Sequence, residues 1–301
     1  MKIKINIVFV STVVVFISLI LTAQINKYFF IDSAETNSVL TYQISPNEII
    51  DLVKSDPNKA FTELRNSLKE NPSLYPSCHA LTHRMGHAAF DVHGYDMAMQ
   101  YQNPICGGGY IHGLLERKFG LLTIENIQEN MLDICKDDPI CLHGVGHGLM
   151  IATKDDIQKS LSICKIIKSV KRTNCFDGVF MHSFDNEDTG IIHNSLDVKK
   201  ASDVCKNSPS YAKGNCYFYL PRTIKNEDAS VVSNFCSNIN DDNFQRFCFT
   251  GVGALFMKYN PIFNRDDVLK KCDNILDDKN RGYCYSGVER YKKFNEINGL
   301  D

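Results

Sequence analysis

The spacing of the twelve cysteines constrains the fold of this 301-residue chain more than any other feature. All of them lie between Cys78 and Cys284, and most fall in close pairs. In most pairs the first cysteine ends an amphipathic segment, a short polar loop of 5 to 11 residues follows, and the second cysteine opens the next segment. The pairs are Cys135 and Cys141, Cys164 and Cys175, Cys205 and Cys216, Cys236 and Cys248, and Cys272 and Cys284, which leaves Cys78 and Cys106 as the sixth.

The second cysteines of the pairs recur at a regular interval. Successive members are separated by 32 to 41 residues, and the series is Cys106, Cys141, Cys175, Cys216, Cys248 and Cys284. A period in this range is typical of a pair of helices that cannot bury its apolar face alone and therefore stacks on its neighbours. We therefore expect an all-α fold of helical-hairpin repeats with a period of about 35 residues, solenoid- or toroid-like, in which disulfides staple the short loops.

This plan resembles that of the cysteine-rich Sel1-like helical repeats, which also join paired helices through short disulfide loops. The resemblance covers roughly residues 105–290 and rests on period and cysteine placement. The Ala/Leu/Gly/Tyr signature of those repeats is not matched here. The resemblance therefore implies a shared architecture and assigns no role to any residue.

The number of cysteines also bears on the compartment. Such a cysteine-rich chain is expected where disulfides persist, and no pair has the close CxxC spacing of common zinc modules. Each short loop closed by a disulfide contributes on the order of 3 kcal/mol to stability. The net charge of −2, without a long run of like charge, argues against a nucleic-acid-binding surface.

The N-terminal segment predicts a membrane anchor. Lys2 and Lys4 precede an uncharged apolar run from about Ile5 to Ala23, which is just long enough to cross a bilayer. A cleavable signal peptide is the alternative, although Leu21 is large for the position before a cleavage site at Ala23. We predict an anchor at residues 1–24, a stalk at 25–45 and a repeat domain at 46–301, located outside the cytoplasm.

Glycine recurs three residues after the second cysteine in five of the repeats, at Gly109, Gly144, Gly178, Gly251 and Gly287. Glycine weakens a helix and needs a reason to be there. The recurrence predicts close helix–helix contact at this position.

The histidines are distributed unevenly along the repeats. All nine fall between His79 and His193, and the last three repeats have none although they keep their cysteines. The repeat scaffold therefore does not require histidine. This unevenness is the strongest indication of function in the chain.

Several histidines have the spacing of metal ligands. His79, His83 and His87 are separated by four residues each and form one stripe on a helix. A pair four residues apart, such as His143 and His147, can chelate one metal ion. His112 stands at the same offset from its cysteine as His147 does, which places the two on equivalent faces of neighbouring repeats.

Together these patterns predict a metal site. Its expected ligands are His83, His87, His112, His143 and His147, and the expected metal is zinc, with copper and iron as alternatives. Carboxylates one helical turn after His87 and His112, at Asp91 and Glu116, are candidate bases for metal-assisted hydrolysis.

The remaining four histidines are not among the expected ligands. His79 follows Cys78 directly and is interpreted as lying N-terminal to the site. His93 and His193 are interpreted as surface or capping residues. His182 is one position out of register with His112 and could join the site through Asp185.

The alternative is a scaffold without chemistry. Stacked helix pairs present a surface that suits a protein or peptide partner, and the histidines would then form a hydrogen-bonded network that fixes packing. The two hypotheses differ in geometry. Ring nitrogens that converge within about 4–5 Å of a common point favour a metal, whereas rings directed to separate carbonyl groups favour the scaffold.

Overall fold

The computed structural model describes residues 44–168, 170–185, 196–224, 229–258 and 265–297, and within these ranges the chain contains helices and no strand. The predicted anchor and most of the stalk lie outside the described residues, as does His193. No helix in the described ranges has the length and apolarity to span a membrane. The α-helices are α1 Pro46–Val53, α2 Pro57–Glu70, α3 Tyr75–Ala98, α4 Ile105–Gly120, α5 Ile124–Cys135, α6 Pro139–Ala152, α7 Ile157–Cys164, α8 Arg172–Phe184, α9 Val198–Asn207, α10 Ser210–Tyr219, α11 Ala229–Ser237, α12 Asp242–Lys258, α13 Arg265–Asp273 and α14 Asp278–Ile297.

All six predicted disulfides are present, and no cysteine is free. Five of them join cysteines that are 6 to 12 residues apart, at the end of one helix and the start of the next. The sixth, Cys78–Cys106, spans 28 residues and ties α3 to α4. The prediction of an all-helical, disulfide-stapled fold is therefore confirmed.

A Lys-Asp-Asp tripeptide connects helices at two places, residues 136–138 and 154–156. The first two residues of each tripeptide have positive φ, between 44° and 69°. The third is the N-cap of the next helix, and its side chain accepts a hydrogen bond from the backbone N–H of Cys141 or Lys159. The same short sequence thus reverses the chain before α6 and before α7.

The second helices of the hairpins form one continuous row. In this row α3, α4, α6, α8, α10, α12 and α14 each pack on the next, and the first helices of the hairpins lie against them. The row curves, because α14 also contacts α4 and because residues of all seven helices line a single cavity of about 370 Å³. The apolar core lies between the row and the outer helices, where Met131 of α5, Leu149 of α6 and Phe180 of α8 are buried together.

The recurring glycines lie where neighbouring helices of the row approach each other. A Cβ at Gly178 of α8 would collide with the carbonyl oxygen of His143 on α6, and one at Gly109 of α4 would collide with the Thr82 side chain on α3. The predicted close contact is confirmed at these positions and at the equivalent ones, which are Gly144, Gly251 and Gly287. The short interhelical distance brings side chains of adjacent repeats within bonding distance.

Candidate metal centre

The histidines converge because the helices that carry them are neighbours in the row. α3 contributes the stripe His79, His83 and His87, and α4 contributes His112 with Glu116 one turn later. α6 adds His143 and His147, and α8 adds His182. Six members of this cluster are buried, namely His83, His87, His112, Glu116, His147 and His182, whereas His79 and His143 are partly exposed at the cavity wall.

Glu116 is the centre of the cluster and is only 1% exposed. Its Oε2 accepts hydrogen bonds from Nε2 of His87 at 2.6 Å and from Nδ1 of His83 at 3.1 Å. Its Oε1 faces Nδ1 of His147 at 3.3 Å and Nδ1 of His182 at 3.9 Å. One carboxylate therefore orients two imidazoles of α3, as the carboxylates behind metal-ligating histidines do, and lies against imidazoles of α6 and α8.

Two pairs of histidines bring their Nε2 atoms together. The Nε2 atoms of His79 and His83 are 3.1 Å apart, and those of His143 and His147 are 3.2 Å apart. Zn–N bonds near 2.0–2.1 Å give a separation of about 3.3 Å between two ligand nitrogens on one tetrahedral ion. Both pairs therefore have the spacing of a metal chelate.

The hydrogen bonds made by Nδ1 of His79 and of His83 determine whether their Nε2 atoms carry protons or lone pairs. Nδ1 of His79 donates to the carbonyl oxygen of Cys106 at 2.7 Å, and Nδ1 of His83 donates to Glu116. A neutral imidazole carries one proton. When both protons are on Nδ1, the two Nε2 atoms direct lone pairs at each other, an arrangement that a bound cation would stabilise.

The local backbone at the start of α4 serves this arrangement. Cys106, Gly107 and Gly108 all have positive φ, between 56° and 75°, which glycine adopts readily. This left-handed turn presents the carbonyl group of Cys106 to His79. His112, on the next turn, directs its Nε2 to the carbonyl oxygen of Ile140 at 3.2 Å. Its Nδ1 is buried and has no hydrogen-bond partner among the described residues.

Three overlapping sets of donors could each hold a metal ion. Within each set the ligand atoms lie within 4.8 Å of one another. The sets are His79, His83, His112 and His147; His83, His87 and Glu116; and Glu116, His147 and His182. The first set is nearest the cavity, because His79 and His112 belong to the cavity wall.

Lowered pKa values keep four of the rings neutral at pH 7, namely His79, His112, His143 and His147. Burial, together with the neighbouring histidines, holds the pKa values of His79, His112 and His143 well below 6.5. Burial also lowers the pKa of His147 to about 4, although Glu116 opposes the shift. Neutral imidazole is the form that binds metal, so no proton must be removed before an ion enters.

Glu116 remains ionised in spite of its burial. Burial alone would raise its pKa, but the electrostatic interaction with His83 and the contacts with the ring nitrogens of His147, His83 and His87 lower it well below 4.5. The cluster therefore holds one negative charge at its base, which favours a bound cation.

The predicted ligands stand as follows. His83, His87, His112 and His147 each belong to at least one donor set, and His143 lies next to His147 without joining a set. The predicted bases differ in position. Glu116 is buried behind the rings, and Asp91 is exposed and pairs with Arg117 at 3.2 Å.

Sequence reasoning missed or understated some members. His79 belongs to the cavity-side set, and its position in the four-residue stripe was the available signal. His182 reaches the cluster directly at Glu116 and pairs with Asp155, whereas Asp185 binds Arg222 and Lys258 instead. His93 belongs to none of the donor sets among the described residues.

No protein-family model matches the chain, and comparisons with curated proteins and with solved structures find no significant match. The similarity to Sel1-like repeats therefore remains one of period and cysteine placement. The function must be argued from the site.

Proposed function

We propose that the protein binds a divalent transition-metal ion, most simply zinc, at the cavity-side set of His79, His83, His112 and His147. The observation that carries this proposal is the pair of Nε2 atoms 3.1 Å apart on His79 and His83, whose protons are both directed elsewhere. Imidazole donors suit zinc, copper, iron and nickel, and zinc has no geometric preference that the four rings would have to satisfy.

Both geometric criteria that separate a metal site from a scaffold are met here, and they are compatible. The ring nitrogens converge, yet His79 and His112 also bond to carbonyl groups. In metal sites each ligand histidine typically donates its other ring N–H to a carbonyl or carboxylate group. Those carbonyl groups can therefore act as orienting partners in a metal site, so the second observation does not exclude the metal.

A network without metal requires an extra proton on His83, so that His83 as imidazolium donates from Nε2 to His79 and from Nδ1 to Glu116. The His143–His147 pair needs no extra proton, because a neutral His143 can donate from Nε2 to Nε2 of His147 at 3.2 Å. The network still leaves Nδ1 of His112 buried without a partner among the described residues. A metal ion accounts for the converging nitrogens of four rings at once. We therefore favour the metal.

The hydrolytic role is a further part of the proposal. A bound ion of this kind would polarise a carbonyl or phosphoryl oxygen and would activate water at neutral pH. Glu116 would then position His83 and His147, because it is buried behind them and is not among the residues that line the cavity. His143, which lines the cavity and is held neutral, is better placed than Glu116 or Asp91 to accept a proton from a substrate.

Metal analysis of the purified full-length protein tests the proposal. We expect about one equivalent of zinc per chain after reconstitution, and a His83→Ala/His147→Ala variant should lose most of it. His93→Ala is the matched control, because His93 is a histidine of α3 outside the donor sets, and it should keep the wild-type zinc content. A wild-type protein with only a trace of metal after reconstitution would remove the proposal.

We further propose that the domain works outside the cytoplasm and is held at the membrane by residues 1–24. Six disulfides are typical of an oxidising compartment and support the first part. N-terminal sequencing of the mature protein distinguishes the alternatives for the second part. An intact Met1 indicates an anchor, and a new N-terminus near Ala23 indicates a cleaved signal peptide.

A further inference from the structure

One position of the repeat supplies a cavity-facing side chain all around the row. This position lies six residues after the second cysteine of each pair. Five of its six occupants line the cavity, and the remaining one, His147, belongs to the histidine cluster. In chain order the occupants are His112, His147, Met181, Arg222, Ala254 and Arg290.

The chemistry of this position changes from the first half of the row to the second. Imidazole occupies it in α4 and α6, whereas a guanidinium group occupies it after α10 and in α14. Lys258, at the end of α12, adds an ammonium group to the same wall. The cavity thus has a histidine side, where the metal is proposed, and a cationic side.

Lys258 and Arg222 line the same cavity as His79 and His143. Both cations are held by Asp185, whose Oδ2 lies 2.5 Å from Arg222 and 2.8 Å from Lys258. This ion-paired group forms a fixed part of the wall.

Arg290 is the cation best placed to meet a ligand. It is exposed and lines the cavity, and its guanidinium group stacks over the ring of Phe218 at 5.0 Å. Stacking on an aromatic ring fixes the plane of the guanidinium group and leaves its N–H groups for a planar anion. The carboxyl group in the wall, Asp177, accepts a hydrogen bond from Asn215 at 2.8 Å and lies close enough to Arg290 and Arg222 for their charges to act on it.

The remaining wall is largely apolar and sets the size of the ligand. Tyr75, Ile140, Met181 and Tyr291 line it, and its volume of about 370 Å³ is in the range of sites for small organic molecules. Such walls bury a hydrocarbon or aromatic body, while a few polar groups fix its orientation.

We infer that this cavity binds a small organic anion with an apolar body, whose acidic group contacts Arg290 on the cationic side and whose other end is directed towards the histidines. The inference deepens the proposed function. It rests on that function in one respect, because the end of the ligand directed towards the histidines would meet the proposed metal site. It names the substrate class of the site as small organic acids.

Isothermal titration of the full-length protein with benzoate tests this inference, and benzamide is the neutral probe of the same shape. We expect benzoate to bind the wild-type protein at least tenfold more tightly than benzamide. Arg290→Met should abolish this preference. Arg246→Met is the matched control, because Arg246 is also exposed and stacks on a phenylalanine, Phe247, at 5.2 Å, but does not line the cavity.

Zinc content is measured on the same samples, and each titration is repeated after metal removal. Equal binding of the two probes, no binding of either, or an unchanged preference in Arg290→Met overturns the inference. A preference that depends on Arg290 supports it even in protein that binds no zinc, and in that case only the proposed metal function fails. A full complement of zinc together with no benzoate preference supports the metal function and overturns the inference about the organic anion.

Discussion

Replacing Glu116 with glutamine tests how the cluster is organised. The substitution keeps the shape of the side chain and removes its charge. In the wild-type protein the carboxylate accepts hydrogen bonds from His87 at 2.6 Å and from His83 at 3.1 Å on one oxygen, and faces His147 at 3.3 Å with the other. An amide has one oxygen and one NH₂ group, so at least one of these imidazole N–H groups meets a donor.

The conflict is relieved when a histidine moves its proton from Nδ1 to Nε2, which removes the lone pair that the metal needs. Loss of an orienting partner typically costs 10- to 100-fold in metal affinity. Because tenfold is about 1.4 kcal/mol, the expected loss is about 1.4–2.7 kcal/mol of binding free energy. We therefore expect Glu116→Gln to bind zinc about 10- to 100-fold more weakly than the wild-type protein.

Competition with a chromophoric chelator measures the zinc affinity, and circular dichroism checks that the helices are intact. Glu129→Gln is the control, because Glu129 is a glutamate exposed on α5. Side-chain ¹⁵N NMR adds a readout that a packing defect would not produce, since it shows whether the proton of His83 has moved to Nε2. A Glu116→Gln protein that binds zinc within twofold of the wild type would refute the reasoning.

Further predictions concern stability. The pKa of His147 is lowered from 6.5 to about 4, so between these pH values the unfolded chain binds more protons than the folded one. The free energy of unfolding of the metal-free protein should therefore fall by about 3 kcal/mol as pH falls through this window, and equal urea midpoints in EDTA at pH 7.5 and pH 5 would contradict this. Replacing both cysteines of Cys78–Cys106 with alanine should cost about 4 kcal/mol of stability, and the same change at Cys135–Cys141 about 2 kcal/mol, because the first bond closes a loop of 28 residues and the second a loop of 6. Denaturant unfolding that ranks the two variants in the opposite order would contradict the loop-closure argument. Gly178→Ala should lower stability by about 1–3 kcal/mol through its clash with α6, whereas Gly282→Ala in α14, with open space around it, should raise stability by up to about 1 kcal/mol. Melting temperatures that shift in the same direction for both variants would argue against close packing as the reason for Gly178.

The fold could be predicted from the sequence to the extent that it depends on local signals. Pairing of consecutive cysteines across short loops and the helical period are local, and both were predicted correctly. The curvature of the row could not be predicted from the sequence, because the contact between α14 and α4 joins segments that are far apart along the chain. Solenoid-like and toroid-like arrangements share the same period and differ only in such contacts.

The site was predictable in its ligands and less so in its organisation. Helical spacing placed His83, His87, His112 and His147 on facing surfaces. It could not show that one carboxylate, Glu116, would lie against imidazoles of three helices, because this depends on the distance at which the helices pack. The cationic side had a signal in the sequence, since Arg222 and Arg290 repeat the offset of His112 from its cysteine.

The order of the disulfides has a consequence for biosynthesis. Every bond joins a cysteine to the next cysteine in the chain, from Cys78–Cys106 to Cys272–Cys284. A repeat domain that enters an oxidising compartment in chain order therefore exposes each partner before any competing thiol has emerged. Disulfide reshuffling takes seconds to hours and depends on isomerases. A domain translocated in this way can acquire its native bonds in chain order, one hairpin at a time, without that step.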